Sequence, residues 1–214
     1  MKTYQHEFLE FAIATGVLRF GSFTLKSGRT SPYFYNAGLF NDGQSLARQG
    51  RYYAQTLLDN VTGEYMLFGP AYKGIPLVAA SAMALAEHHS VNTPYAFNRK
   101  EAKDHGEGGE LVGAPLQGRV VIIDDVITAG LSVRQSVDII SSAGAQPAAV
   151  VIALDRQETI ADGEKSAVAV VEDQFGIPVY AIATFATLIE FLTGNPDYAD
   201  QLISMQDYRN QYGA

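Results

Sequence analysis

The sequence predicts an α/β fold: a parallel β-sheet flanked by helices on both faces, with a small β-rich flap near the N-terminus. Three observations carry that expectation. From about residue 43, short apolar stretches rich in β-branched residues alternate with longer stretches of helical periodicity. The apolar stretches are continuous rather than alternating, which is the pattern of strands buried on both faces. Ahead of them, Phe20 to Leu39 mixes aromatics, glycines and Ser31-Pro32 in short extended pieces.

Taken in order, Tyr4 to Ala14 puts Tyr4, Phe8 and Phe11 on one helical face, with Gly16 placed to terminate the helix. The flap follows. The alternation then runs helix Gln44 to Leu58, strand Tyr65 to Phe68, helix Ile75 to Glu87 and strand Tyr95 to Phe97. A polar, glycine-rich loop from Arg99 to Glu110 comes next. Strand Val120 to Ile123, helix Val133 to Ser142, strand Ala148 to Leu154, helix Ser166 to Gln174 and strand Val179 to Ala183 complete the series. No repeat or long linker divides the chain, so one domain over 1–214 is expected, with residues 1–42 as helix and hood and 43–214 as core.

Bulk properties narrow the chemistry. There is no cysteine, which removes disulfides, thiolate metal sites and a cysteine nucleophile, and which suits a cytoplasmic setting. Residues Met1 to Gly16 carry acids and lack an apolar signal core, and no apolar run is long enough to cross a bilayer. Fifteen basic residues against twenty-three acidic ones give a formal charge of −8. Nucleic acid and anionic membranes are therefore poor partners, and cations for an anionic ligand must be gathered locally.

In an open parallel sheet, ligands bind beyond the carboxyl ends of the strands. Here that means just after Phe68, Phe97, Ile123 and Leu154. Val120 to Ile123 ends abruptly in Asp124-Asp125, a pair able to accept hydrogen bonds from the vicinal hydroxyls of a ribose. Thr128-Ala129-Gly130 then turns into a helix, aiming backbone N–H groups at one point, as a phosphate requires. The plainer role for Asp125 and Thr128 is helix capping. Gly69-Pro70-Ala71-Tyr72-Lys73-Gly74 sets a lysine against a helix start, suited to pyrophosphate, although its spacing is not that of a Walker loop. Arg99, Lys100 and Lys103, with His105 among glycines, make a cationic loop expected to be mobile when empty and to close over a polyanion. Arg156, at the end of another strand, offers a fork to a carboxylate, either on a ligand or on Glu158.

VVIIDDVITAGLS, Val120 to Ser132, resembles the phosphoribosyl-pyrophosphate signature of type I phosphoribosyltransferases. GSFTLKSGRTSPYF (Gly21 to Phe34), GPAYKGIPL (Gly69 to Leu77), RKEAKDHGEGG (Arg99 to Gly109), LVGAPLQGR (Leu111 to Arg119) and LDRQE (Leu154 to Glu158) are similar to the orotate-specific branch of that family. The resemblance implies transfer of ribose 5-phosphate from phosphoribosyl pyrophosphate to orotate, with Mg2+ held mainly by the substrates and no protein metal ligand assigned. It also implies a homodimer. It places Lys26, Tyr72, Lys73, Arg99, Lys100, Lys103 and His105 on the phosphoribosyl pyrophosphate, with Arg99 reaching it from the neighbouring subunit. Asp124 and Asp125 fall on the ribose, and Val126, Ile127, Thr128, Ala129, Gly130, Leu131 and Ser132 around its 5-phosphate. Phe34, Tyr35, Thr128 and Arg156 fall on orotate. Lys73, Lys100, Lys103, His105 and Arg99 are the implied catalytic set, with His105 open between general acid and pyrophosphate donor. Two positions depart from the pattern: Leu131, where the family usually has threonine or serine, and Tyr35, where it more often has phenylalanine. A purine-specific transferase, a non-catalytic regulator binding nucleic acid and a kinase that makes phosphoribosyl pyrophosphate are the competing readings. The flap motif and Arg156 weigh against the first, the acidic charge against the second, and the chain length against the third.

Overall fold

The computed structural model describes residues 1–25, 27–103, 109–160 and 165–214, with the backbone alone at 101–103 and 109. Helix α1 (Thr3–Ala14) buries Phe8, Leu9, Phe11 and Ala12 and leads into an antiparallel hairpin, β1 (Leu18–Thr24) with β2 (Thr30–Tyr35). This hairpin is the flap expected from the aromatic- and glycine-rich stretch.

The main sheet is built from β3 (Met66–Gly69), β4 (Tyr95–Lys103), β5 (Gly109–Gly113), β6 (Arg119–Ile123), β7 (Gln146–Asp155) and β8 (Val179–Thr184). Their spatial order is β5-β4-β3-β6-β7-β8, parallel throughout except for the antiparallel edge strand β5. The β-branched runs explain the layering, because successive residues of a strand point to opposite faces. Val121, Ile123, Val151 and Ala153 join one core with α1, α2 (Gly43–Asn60), α6 (Phe185–Thr193) and α7 (Ala199–Tyr212). Val120, Ile122, Val150 and Ile152 join a second core with α4 (Leu131–Ser142) and α5 (Ala167–Phe175). Both faces are thus covered, as the continuous apolar strands require. Helix α3 (Gly74–His89) packs on α2 and completes the first layer.

Three expectations need correction. The fourth strand does not stop at Phe97 but runs to Lys103, and Gly109–Gly113 pairs back along it, so much of the expected Arg99 to Glu110 loop is a β-arm. Arg99 to Lys103 is polar but for Ala102, which hid this stretch from a reading based on apolar runs. The sheet is correspondingly mixed at one edge. Finally, α6 and α7 lie beyond Ala183, where the expected series ended. Helix α6 starts directly from β8 without a loop, capped by Thr184, whose hydroxyl accepts from the Thr187 N–H at 3.1 Å. In α7 only Met205 and Tyr208 are buried, too sparse a pattern to mark a helix.

Candidate active site at the carboxyl ends of the strands

Asp124 and Asp125 follow β6 but remain tied to the sheet. The Asp124 N–H donates to the Val151 carbonyl at 3.1 Å, and the Asp125 carbonyl accepts from the Ala153 N–H at 2.9 Å. From below, the Tyr53 hydroxyl of α2 donates to the Asp124 carbonyl at 2.7 Å. The Asp124 carboxylate accepts from the Ser132 hydroxyl at 2.8 Å and from the Asp125 N–H at 2.9 Å. Asp125 accepts from the Val126 N–H at 2.9 Å and from the Lys73 ammonium. The two carboxylates are therefore rigidly placed, and both residues are buried. Burial pushes the Asp124 carboxyl up to about 6; the Ser132 hydroxyl opposes the shift and the Asp125 charge adds to it.

Lys73 joins the loop after β3 to this acidic pair. That loop is narrow by necessity: a Cβ on Gly69 would stand 2.3 Å from the Gly74 carbonyl oxygen, and one on Gly74 would stand 2.9 Å from the Ile123 carbonyl oxygen. Only glycine lets the start of α3 approach the end of β6 so closely. Asn98, one residue past the expected strand end at Phe97, accepts from the Ala71 N–H at 2.9 Å and fixes the same loop to β4. Tyr72 is exposed, and the Lys100 ammonium stands 4.7 Å from its ring centroid. Arg99 precedes Lys100 on β4.

Helix α4 begins at Leu131 behind Gly130, which takes a left-handed φ of 68°, and no side chain caps it. Helix α3 is likewise uncapped by any side chain, whereas α2, α5 and α6 are capped by Asp42, Ser166 and Thr184. Helix α4 thus keeps its first N–H groups for an outside acceptor. In α3, by contrast, the Gly74 N–H donates to the Pro70 carbonyl at 2.9 Å, the Ile75 N–H to the Tyr72 carbonyl at 3.3 Å, and Pro76 has no N–H. Leu131 is 62% exposed. Ser132, the neighbouring hydroxyl that stood to replace the missing one, is instead committed to Asp124.

A cavity of about 720 Å3 lies between the flap and these loops. Its lining gathers Phe34 and Tyr35 from β2, Val126, Ile127, Thr128 and Ala129 from the loop after β6, and Arg156 and Glu158 after β7. All four residues expected around the base are thus brought to one wall-lined space. Arg156 donates through Nε and Nη2 to Glu158 Oε1 at 3.0 and 2.8 Å, so the surface-pair alternative is met in this state. Its guanidinium also lies over the Tyr33 ring at 4.6 Å, and the Tyr33 hydroxyl donates to the same Glu158 at 3.0 Å. Burial alone would lower the Arg156 pKa, but Tyr33 and Glu158 raise it, so the cation is secure. A second cavity of about 700 Å3, lined by Arg48, Arg51, His88 and His89, shares no residue with this one.

Lys26 and His105 lie outside the described residues, and Lys103 is described in its backbone only. Among the described residues no group of three or more His, Cys, Asp or Glu stands ready to hold a metal. Sequence reasoning missed the residues that build the site from behind. Tyr53 looks like an ordinary aromatic of an amphipathic helix, Asn98 like a strand terminus, and Tyr33 like flap core. Glu158 was noted only as a competitor for Arg156. No local signal distinguishes them, because their roles arise from long-range packing.

Comparison with known proteins places these features in context. A family model described as a phosphoribosyl transferase domain matches residues 38–184. The orotate phosphoribosyltransferase of Thioalkalivibrio sulfidiphilus is 61% identical over 213 residues, covering 100% of both chains. That of Cronobacter sakazakii is 57% identical over the same length. A solved structure of orotate phosphoribosyltransferase from Francisella tularensis superposes with a TM-score of 0.89 at 44% identity, covering 97% of this chain and 100% of that one.

Proposed function

The chain belongs to the orotate phosphoribosyltransferases, and from that premise we propose that this site moves ribose 5-phosphate from phosphoribosyl pyrophosphate to orotate. The products are orotidine 5-phosphate and pyrophosphate, a step of pyrimidine synthesis. One observation supports the reading above the others. A pinned acidic pair adjoins a cavity that gathers Phe34, Tyr35, Thr128 and Arg156.

In this reading Asp124 and Asp125 accept hydrogen bonds from the ribose hydroxyls. The uncapped start of α4 holds the 5-phosphate through backbone N–H groups of residues 127–132, while Val126 of the same loop keeps its N–H on Asp125. With Leu131 lacking a hydroxyl and Ser132 bonded to Asp124, the phosphate rests on the backbone. Lys73 leaves Asp125 for the pyrophosphate, where Tyr72, Lys26, Lys100, Lys103 and His105 join it. Arg99 reaches that pyrophosphate from the partner in a homodimer. Arg156 keeps Nη1 for the orotate carboxylate, since Nε and Nη2 are spent on Glu158. Breaking the C1–O bond develops positive charge on the ribose and negative charge on the leaving group. These residues neutralise and position those charges without a covalent nucleophile.

The donor set fits Mg2+, which takes one or two carboxylates and substrate oxygens in preference to a full protein cage. Asp124 and Asp125 would share it with the substrate, and it would supply charge neutralisation on the pyrophosphate. A cytoplasmic location belongs to the same proposal; no helix among the described residues is long and apolar enough to cross a membrane.

Replacing Arg156 by leucine tests the base assignment. The KM for orotate should rise roughly 10–100-fold, the range of one charge-assisted hydrogen bond pair. The KM for phosphoribosyl pyrophosphate should change little. An equal loss for both substrates would move Arg156 out of the base site.

A further inference from the structure

Arg156 stands just past the end of β7, so its direction depends on what holds the loop that carries it. The next residue, Gln157, takes a left-handed φ of 48°, a conformation that its surroundings must hold in place. Three hydrogen bonds do so. Its N–H donates to Asp155 Oδ1 at 2.9 Å, its Oε1 accepts from the Ala186 N–H at 2.9 Å, and its carbonyl accepts from the Ala214 N–H at 3.0 Å. Ala214 belongs to the stretch that leaves α7, and this stretch pairs antiparallel with the Arg156 loop. Glu158 forms a bridge with Gly213, and the Thr159 N–H donates to the Tyr212 carbonyl at 2.9 Å.

Side chains close the same connection into a ring. Arg29, which precedes β2, donates through Nη1 to the Thr159 carbonyl at 2.6 Å, and its guanidinium lies 4.8 Å from the Tyr212 ring centroid. The Tyr212 ring packs on Tyr208 at 4.9 Å, and Tyr208 meets Tyr33 edge-on at 6.4 Å. Tyr33 is the residue that lies under Arg156 and holds Glu158. Arg156 is thus held twice from α7, by the backbone pairing of its loop and by the aromatic stack under its guanidinium. Among the described residues that line the base cavity, none comes from α7 or the stretch after it. This segment therefore acts on the base through the residues it holds, and Arg156 is the one expected on the base. We propose that Tyr212 to Ala214 brace the Arg156 loop, making Tyr212 a positioning residue for the carboxylate of the base. The inference rests on the reading that Arg156 holds that carboxylate.

Tyr212→Ala, Tyr212→Phe and Arg156→Leu test this, with Tyr212→Ala and Arg156→Leu also combined. In Tyr212→Ala the KM for orotate should rise about fivefold, the step from a charge-assisted to an ordinary hydrogen bond. The KM for phosphoribosyl pyrophosphate should stay within about twofold, too small a change for a lost hydrogen bond. Tyr212→Phe keeps the ring and should match the native chain in both constants. In the Arg156→Leu background, Tyr212→Ala should add less than about twofold to the orotate KM, because both changes act through one side chain. A merely destabilised variant loses active protein and lowers kcat without separating the two KM values. Ala214→Pro removes the N–H on Gln157 from an exposed position. It should raise the orotate KM selectively, and it decides the matter if Tyr212→Ala does not fold. An unchanged orotate KM in Tyr212→Ala beside a raised one in Arg156→Leu would overturn the brace alone. An equal rise for both substrates, or full additivity in the double variant, would do the same. An orotate KM untouched by Arg156→Leu would overturn the reading of Arg156, and the brace with it.

Discussion

Asp124 shows how much a single residue's surroundings matter to the chemistry. In the unfolded chain its carboxyl ionises near 3.8, and in the fold it holds its proton up to about 6, chiefly because it is buried. Between those values the folded state binds the proton more tightly, so stability falls as pH rises through the window. Asp124→Asn should therefore stabilise the ligand-free protein at pH 7.5 by on the order of 1–3 kcal/mol and leave it nearly unchanged at pH 4. Thermal unfolding at the two pH values reads this directly, and a destabilised variant at pH 7.5 would contradict it. For the native chain, turnover at low phosphoribosyl pyrophosphate should decline below about pH 6, when Asp124 takes up a proton and accepts less well. The presence of Asp124 and Asp125 at a strand end was legible in the sequence, because two acids after four apolar residues have no place in a core. Their fixing by Tyr53, Ser132 and Lys73 was not, since those partners stand up to 71 positions away. Arg156 illustrates the same boundary. Its fork was readable, but only the fold shows Glu158 and Tyr33 holding it from one side.

At the scale of elements, glycine does the shaping. The turn from β3 into α3 brings Gly74 against the Ile123 carbonyl, so a methyl group there has nowhere to go. Gly74→Ala should cost about 1–3 kcal/mol, the usual range for overpacking a close contact. Chemical denaturation measures that loss, and a neutral result would mean the loop relaxes outward. The glycines and proline of this loop announced a tight turn in the sequence, and the alternation of strands and helices announced the sheet. What escaped notice was structure without an apolar pattern. The arm formed by β4 and β5 carries Arg99, Lys100 and Lys103 on strands whose pairing depends on backbone groups. Helix α7 escaped for a related reason, burying only two residues along its length. The start of α4 proved informative in a different way, because it opens beside the acidic pair behind the left-handed Gly130 with no side-chain cap of its own.

At the scale of the whole molecule, a chain of formal charge −8 sets Lys73, Lys100 and Arg156 on the loop after β3, on β4 and after β7, all toward the carboxyl ends of the sheet. The sheet itself explains why those loops converge: parallel strands covered on both faces leave only their ends for chemistry. If Arg99 serves the partner's site, two inactive variants should rescue each other. Mixing Arg99→Ala with Asp125→Asn subunits and allowing exchange should restore about a quarter of native activity, since random pairing makes half the dimers mixed, each with one intact site. No recovery after proven subunit exchange would place Arg99 in its own subunit's site.

The most direct test of the central claim follows orotate by its absorbance, mixed with this protein and phosphoribosyl pyrophosphate, with and without Mg2+. The account predicts loss of the orotate signal that depends on the metal, with adenine and hypoxanthine inert under the same conditions. An unchanged orotate signal alongside turnover of a purine would contradict the assignment of the base.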